Sequence, residues 1–402
     1  MLNPKTYPLL AVAGTFLLAM AVGAAVPAQS APSTTPASAP AVGTEIGERT
    51  VEDGGTGAYK AIQVGDTSLP THSIYRPKDL SAFGDKVKLP ILAWGNGGCA
   101  NSSNGHQNYL SEIASHGFLV VAIGPMPTGG GRGGMGGGGG TKSSQLLDAV
   151  NWAIAQNQNK DSRYFGKIDT TKIGVFGHSC GGLQALEVSL DPRITTTIVV
   201  DSGVLNDGGG AGRGPGRGAP ATAPAGAMGP TSDNEQLIFV GAPAAGAGAP
   251  GGMPGRGMGR GPGGGMGGGM PGGMGRGPGG GMPGGRGGAG GGMAGMPALT
   301  KNDLTKLHAP VFYLLGGESD IAYANGMDDF KRIEKLPVFV ANKGVGHGGT
   351  FTAPHGGDWA MASLAWFKWQ LKGDAEAGKL FTGNPCELSK KEGWTVDKKN
   401  IP

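Results

Sequence analysis

From about residue 86 onward, short apolar runs rich in β-branched residues alternate with stretches whose apolar positions recur at helical spacing. That alternation is the signature of an α/β chain, a largely parallel sheet flanked by helices. Residues 89–94 read as a buried strand, 109–116 as a helix and 118–123 as the next strand. Residues 143–156 read as a helix because Leu146, Val150 and Ile154 stand one turn apart on one face. Residues 173–176 form a short apolar strand before a Gly-rich corner, and 182–190 the helix after it. Residues 195–200 are β-branched enough to be central in the sheet. Residues 310–315 and 337–341 add two more strands, and 358–371 a helix with Asp358 as N-cap and Gly373 just past its end. Ahead of these, 59–64 and 72–75 read as a leading antiparallel pair.

Composition then shortens the foldable chain. Of the 83 glycines in 402 residues, nearly half fall between 207 and 297, where Gly, Pro, Ala, Met and Arg make up almost everything. Such a stretch buries too little apolar surface to offset its ordering entropy. A smaller Gly-rich tract spans 129–140, and within the long one only 237–240 has strand character. Both follow strand ends, the side on which parallel α/β sheets place their sites. At the N-terminus, Lys5, the apolar run 9–26 and small residues at Ala28 and Ser30 read as an export signal, with an uncleaved membrane anchor as the alternative. The expected organisation is a signal peptide over 1–30, a flexible linker over 31–50 and one folded domain over 51–402, interrupted by disordered insertions at 129–140 and 207–297. The expected location is secreted or periplasmic.

Charge excludes more than it suggests. A net charge of +4 is mild for this length and does not mark a nucleic-acid binder. Arg213, Arg217, Arg256, Arg260, Arg276 and Arg286 in glycine resemble polyanion-binding segments, but residues 240–311 hold no aromatic stacking platform. No CxxC or histidine cluster at zinc spacing occurs, so neither a metal nor an organic cofactor is implied.

The chemistry concentrates around Ser179. Gly177, His178, Ser179, Cys180 and Gly181 match G-x-S-x-G, a strained strand-to-helix corner that needs small neighbours. The match follows an apolar strand and opens a helix, as that corner requires. A serine hydroxyl becomes nucleophilic when a histidine takes its proton, and the resulting imidazolium needs an acid partner. On this arrangement the chain order is serine, acid, histidine. Asp320, in the turn after the strand ending at Leu315, and His347, in a Gly-rich loop, supply acid and base. The rivals are Asp201 and Glu318 for the acid and His355 for the base. His178 should point elsewhere, and His72, His106, His116 and His308 are most economically structural or exposed.

A tetrahedral intermediate needs preorganised N–H donors. One is expected from the backbone of Cys180, the other from the loop Gly95-Asn96-Gly97-Gly98-Cys99, with Gly97 ahead of Gly98. Of the three cysteines, Cys99 and Cys180 would both lie at this face, and we expect a disulfide between them, with two buried thiols as the alternative and Cys386 left over.

Together, Trp94-Gly95-Asn96-Gly97-Gly98, the Ser179 corner, Gly317-Glu318-Ser319-Asp320 and Gly346-His347-Gly348-Gly349 resemble the α/β-hydrolase superfamily. Within it the chain looks most like the dienelactone-hydrolase-like and polyesterase-like (cutinase, PET-hydrolase-like) branch. The resemblance implies Ser179, Asp320 and His347 as nucleophile, acid and base, Gly97 and Cys180 as oxyanion donors, and hydrolysis of a carboxylic ester, small molecule or polyester, through an acyl-enzyme. It departs from the branch at Ser179-Cys180, where polyesterases commonly carry Met after the serine and dienelactone hydrolases use a cysteine nucleophile. A peptidase or acyltransferase shares the same triad. Neither a specific nucleic acid nor, once the signal is removed, a membrane is an expected partner.

Overall fold

The apolar runs lie side by side in one sheet in a computed structural model that describes residues 43–127, 140–206 and 297–402. Its strands are β1 (Glu45–Arg49), β2 (Ala61–Asp66), β3 (His72–Pro77), β4 (Leu89–Gly95), β5 (Leu119–Ile123), β6 (Ile168–His178), β7 (Thr196–Val200), β8 (Val311–Leu315), β9 (Val338–Lys343) and β10 (Trp394–Lys399). The helices are α1 (Gln107–Ser115), α2 (Ser144–Gln158), α3 (Cys180–Val188), α4 (Tyr323–Arg332), α5 (Gly357–Lys372) and α6 (Ala375–Gly378). The strand order is β1-β2-β3-β5-β4-β6-β7-β8-β9-β10. From β5 to β9 neighbouring strands run parallel, while β1, β2, β3 and β10 pair antiparallel at the two edges. This is the α/β-hydrolase fold.

Side chains alternate across the central strands, so each strand feeds two cores. Leu92 and Trp94 of β4 and Phe176 of β6 join Tyr109 of α1 and Trp359, Trp366 and Phe367 of α5 on one face. Ile91, Ala93 and Val175, one residue away, meet Leu146, Ala149, Val150 and Trp152 of α2 on the other. Trp94 and Trp366 are fully buried, yet their indole N–H groups are satisfied by Asn96 Oδ1 and Thr196 Oγ1, each at 2.8 Å. The aromatic core therefore leaves neither donor orphaned.

The expected linker over 31–50 ends too late. Residues 45–49 form β1, paired antiparallel with β2, although Glu-Ile-Gly-Glu-Arg carries little apolar signal. Charge holds this strand instead. Glu45 accepts from Arg76 Nε at 2.8 Å and Nη2 at 2.5 Å, from Arg163 at 2.7 Å and from the Tyr164 hydroxyl at 2.7 Å. The start of α5 also differs: Gly356, with φ 74°, occupies the N-cap, and Asp358 sits in the first turn bonded to Lys343. The two left-handed glycines, Gly356 and Gly357, turn the chain into the helix just ahead of Asp358. The expected signal over 1–30 and the two insertions lie outside the described residues, except for residues 140 and 297 at their ends. Among the described residues no helix is long and apolar enough to cross a membrane.

Glu45 and Arg76 are both nearly buried, with side chains 8% and 4% exposed. Removing one partner strands the other, so Glu45→Ala should cost about 3 kcal/mol. Urea unfolding checks this, and an unchanged midpoint would mean that β1 is dispensable.

Candidate active site

At the end of β6 the backbone turns through Ser179, whose φ is 53°, and enters α3. Two glycines make the corner possible. A Cβ on Gly177 would fall 2.2 Å from the carbonyl oxygen of Gly181, and one on Gly181 would fall 2.1 Å from that of Gly95. The left-handed φ is unfavourable for serine, and its neighbours hold it: Ser179 N–H donates to Val200 O at 2.9 Å, and the Ser202 hydroxyl donates to Ser179 O at 2.7 Å.

Two loops from neighbouring strands bring side chains to Ser179. The turn after β8 is closed by Asp320 N–H donating to Gly317 O at 2.9 Å, and the loop after β9 is tied to it by Gly346 N–H donating to Gly316 O at 2.8 Å. His347 Nε2 then lies 2.9 Å from Ser179 Oγ, and His347 Nδ1 lies 2.6 Å from Asp320 Oδ1. Asp320 is buried, which penalises its charge, but the His347 hydrogen bond and the N–H groups of Ala322 and Gly316 prevail and hold its carboxyl below the usual range. It faces His347 as an anion.

A second pair of histidines lies behind this line. His178 Nε2 lies 2.8 Å from the backbone carbonyl of His347, so that nitrogen carries the proton, and Nδ1 accepts from His106 Nε2 at 3.3 Å. Burial, against the opposing hydrogen bond to the His347 carbonyl, pushes His178 down to about 4, and burial with His178 beside it pushes His106 down to about 3. Both are neutral at pH 7. His178 thus braces the loop of His347 through its backbone, while His106, expected to be structural or exposed, is part of this arrangement. Only tertiary contact joins them, 72 positions apart.

Gly97 and Cys180 meet at the same corner. Gly97–Cys99 forms a 3₁₀ turn in which Gly98 and Cys99 have φ of 62° and 49°. A Cβ on Gly97 would fall 2.5 Å from His178 Nδ1, so the loop can pass the corner only as bare backbone. Cys99 and Cys180 are joined in a disulfide with Cα atoms 5.2 Å apart, and Cys386 is a buried free thiol.

Among the described residues, none of the rivals is hydrogen-bonded to Ser179 Oγ or to the His347 ring. Glu318 is exposed. His355 Nδ1 faces Glu52, Asp53 and Glu112 at 3.5–3.7 Å and lines a cleft of about 470 Å³ to which none of Ser179, Asp320 and His347 contributes. Asp201 closes β7, fully buried, with Oδ2 4.0 Å from His178 Nε2. His72 bonds Gln145 O, His116 bonds Glu112 and His308 bonds Ile194 O. Among the described residues no group of His, Cys, Asp or Glu side chains is arranged to hold a metal ion.

Residues 88–201, from the start of β4 to Asp201, match the PET hydrolase-like family. The match takes in Gly97, Cys99 and the Ser179 corner, and the chain is a hydrolase of the α/β-hydrolase type. No curated protein matches the chain.

The disulfide closes a separation of 81 residues. A loop of that length stabilises the fold by about 4–5 kcal/mol on the chain-entropy account. The Cys99→Ser/Cys180→Ser variant should lose about 4 kcal/mol in denaturant unfolding, and reductant should destabilise the wild type but not the variant. Equal midpoints for the two proteins without reductant would contradict this.

Proposed function

We propose that this PET hydrolase-like chain is an exported serine hydrolase that cleaves carboxylic esters, with Ser179 as nucleophile, His347 as general base and acid, and Asp320 as the orienting anion. The observation that carries the reading is the continuous hydrogen-bonded line from Ser179 Oγ through the His347 ring to Asp320. His347 Nε2 takes the Ser179 proton as Oγ attacks the ester carbonyl. Asp320, already ionised, stabilises the imidazolium that forms on its side of the ring. The oxyanion is held by the backbone N–H groups of Cys180 and Gly97, donors that cost no reorganisation because a disulfide and a bare-backbone loop fix them. Collapse breaks the bond to the alcohol, which leaves with the proton from His347, and Ser179 retains the acyl group. Water, deprotonated by His347, then repeats the sequence and frees the serine.

Export agrees with the disulfide, since such bonds persist in oxidising compartments outside the cytosol. The ester carbonyl must approach over the rim of the site, where Ile321, next to Asp320, is 80% exposed and Val345 is 37% exposed. That apolar rim suits an ester with an apolar acyl or aryl portion, free or within a polymer chain.

Purified wild-type protein should hydrolyse p-nitrophenyl butyrate. Ser179→Ala and His347→Ala should each lower kcat by roughly 10³-fold or more, and the double variant by little further, because the two act as a unit. Asp320→Asn should lower kcat by at least about 10²-fold with KM nearly unchanged. Wild-type turnover by Ser179→Ala would sink the assignment. Faster cleavage of an amide, or transfer to an added alcohol in preference to water, would move the activity to a peptidase or an acyltransferase.

A further inference from the structure

The end of β7 delivers a second carboxyl to the acid of the proposed triad, and no step of ester cleavage uses it. Asp201 follows Val200 directly, with its N–H donating to Leu314 O at 2.8 Å, so the pairing of β7 with β8 carries its side chain to the turn that bears Asp320. It is fully buried and has a φ of 45°, in the left-handed region that a non-glycine residue occupies only when its surroundings hold it there.

The groups that face this carboxyl come from four elements. Asp320 and the backbone N–H of Gly316, both from the turn after β8, border it, and the same Gly316 N–H reaches Asp320 Oδ2 at 3.4 Å. Trp359 of α5 donates its indole N–H to Asp201 Oδ2 at 3.3 Å. His178, at the end of β6, has Nε2 4.0 Å away but gives that proton to His347 O, at 2.8 Å. Tyr109 of α1 is close enough to feel its charge, yet its hydroxyl is committed to Ser363 at 2.8 Å. His106 and His347 stand one group further off, behind His178 and Asp320. Asp201 Oδ1 is buried with no hydrogen-bond partner.

Two carboxylates cannot share such a place as anions. Asp320 is the better-supported anion: Oδ1 receives His347 Nδ1 at 2.6 Å and Ala322 N–H at 2.9 Å, whereas its Oδ2 receives only a long contact from Gly316 N–H at 3.4 Å. Asp320 therefore has acceptor capacity to spare, and Asp201 has an oxygen without a partner. A single proton on Asp201 satisfies both. Burial, then the neighbouring Asp320 charge, pushes the Asp201 carboxyl up to about 9, in the same direction.

We infer that Asp201 is a positioning residue: held as a neutral carboxylic acid, it donates a hydrogen bond to the Asp320 carboxylate and fixes that group against His347 as the only anion of the pair. The inference rests on the triad reading above, because positioning matters only if Asp320 serves His347.

Asp201→Asn tests it, since asparagine keeps the size and a donor and carries no charge. With a neutral Asp201 in the wild type, this substitution leaves the charge of the site unchanged. The acidic limb of kcat/KM against pH for p-nitrophenyl butyrate should then stay within about 0.3 units of the wild type, with turnover within about threefold. Asp201→Val removes the donor and should lower kcat at least tenfold with KM unchanged, and thermal unfolding shows whether that variant is folded. Infrared difference spectra at pH 7 between wild type and Asp201→Asn should contain the carbonyl stretch of a protonated carboxylic acid, present only in the wild type. If Asp201 is ionised instead, that band is missing, and Asp201→Asn moves the acidic limb down by about one unit or more, because a nearby anion that favoured the imidazolium is gone. Either result overturns the inference, and so does full activity of a folded Asp201→Val. The infrared band needs no turnover, so failure of the ester reading, seen as undiminished activity of Ser179→Ala, is distinguished from failure of the proton assignment.

Discussion

The approach of one backbone to another governs this molecule: a methyl group on Gly181 would sit 2.1 Å from the carbonyl oxygen of Gly95. The ends of β4 and β6 are in register, Gly95 opposite Gly177, and the start of α3 must fold back over both. Only glycine at 177 and 181 lets this happen, and the residue between them on the corner is forced to a positive φ. The same proximity puts Cys180 within bonding distance of Cys99 and sets the His178 ring against the bare backbone of Gly97. A tight corner of chain thus fixes the hydroxyl, the two backbone donors proposed for the oxyanion and the disulfide that ties them together. The large aromatic core on the α1 and α5 face supplies the rigidity against which this strain is held.

Electrostatics at the site follows a simple economy of charge. Within a few ångströms lie two carboxyls and three imidazoles, in surroundings where an unpaired charge is costly. Asp320 is held ionised by its donors, and His178 and His106 are held neutral by burial. His178 nonetheless contributes, because its Nε2–H grips the backbone of His347 and so sets the position of that ring from behind. On the proposed mechanism, positive charge arising on His347 would meet the Asp320 carboxylate directly in line with it.

Much of this was legible in the sequence, for definite reasons. The central strands could be read because buried parallel strands are continuous apolar runs, and the Ser179 corner because its glycines sit between such a run and a helix. The placing of Asp320 and His347 followed from chain order and strand ends, and both lie beyond residues 88–201, the stretch that matches the PET hydrolase-like family. What escaped depended on contacts between distant residues. β1 is polar, and its place in the sheet comes from Arg76, Arg163 and Tyr164 gathering on Glu45. His106 reads as an ordinary loop histidine until it meets His178. Two missed elements did carry a signal: Tyr323, Met327 and Phe330 recur at helical spacing in α4, and Trp394 and Val396 alternate with polar residues in β10. In the sequence Asp201 reads as a competitor of Asp320, whereas the fold makes them neighbours.

On the proposed mechanism the Ser179 hydroxyl, activated by His347, becomes covalently acylated. The most direct measurement is peptide mass spectrometry of the wild-type protein after reaction with a fluorophosphonate. One adduct is expected, on Ser179, formed stoichiometrically with the loss of esterase activity and nearly abolished by His347→Ala. Loss of activity with the adduct on another residue, or full labelling of Ser179 in His347→Ala at the wild-type rate, would contradict it.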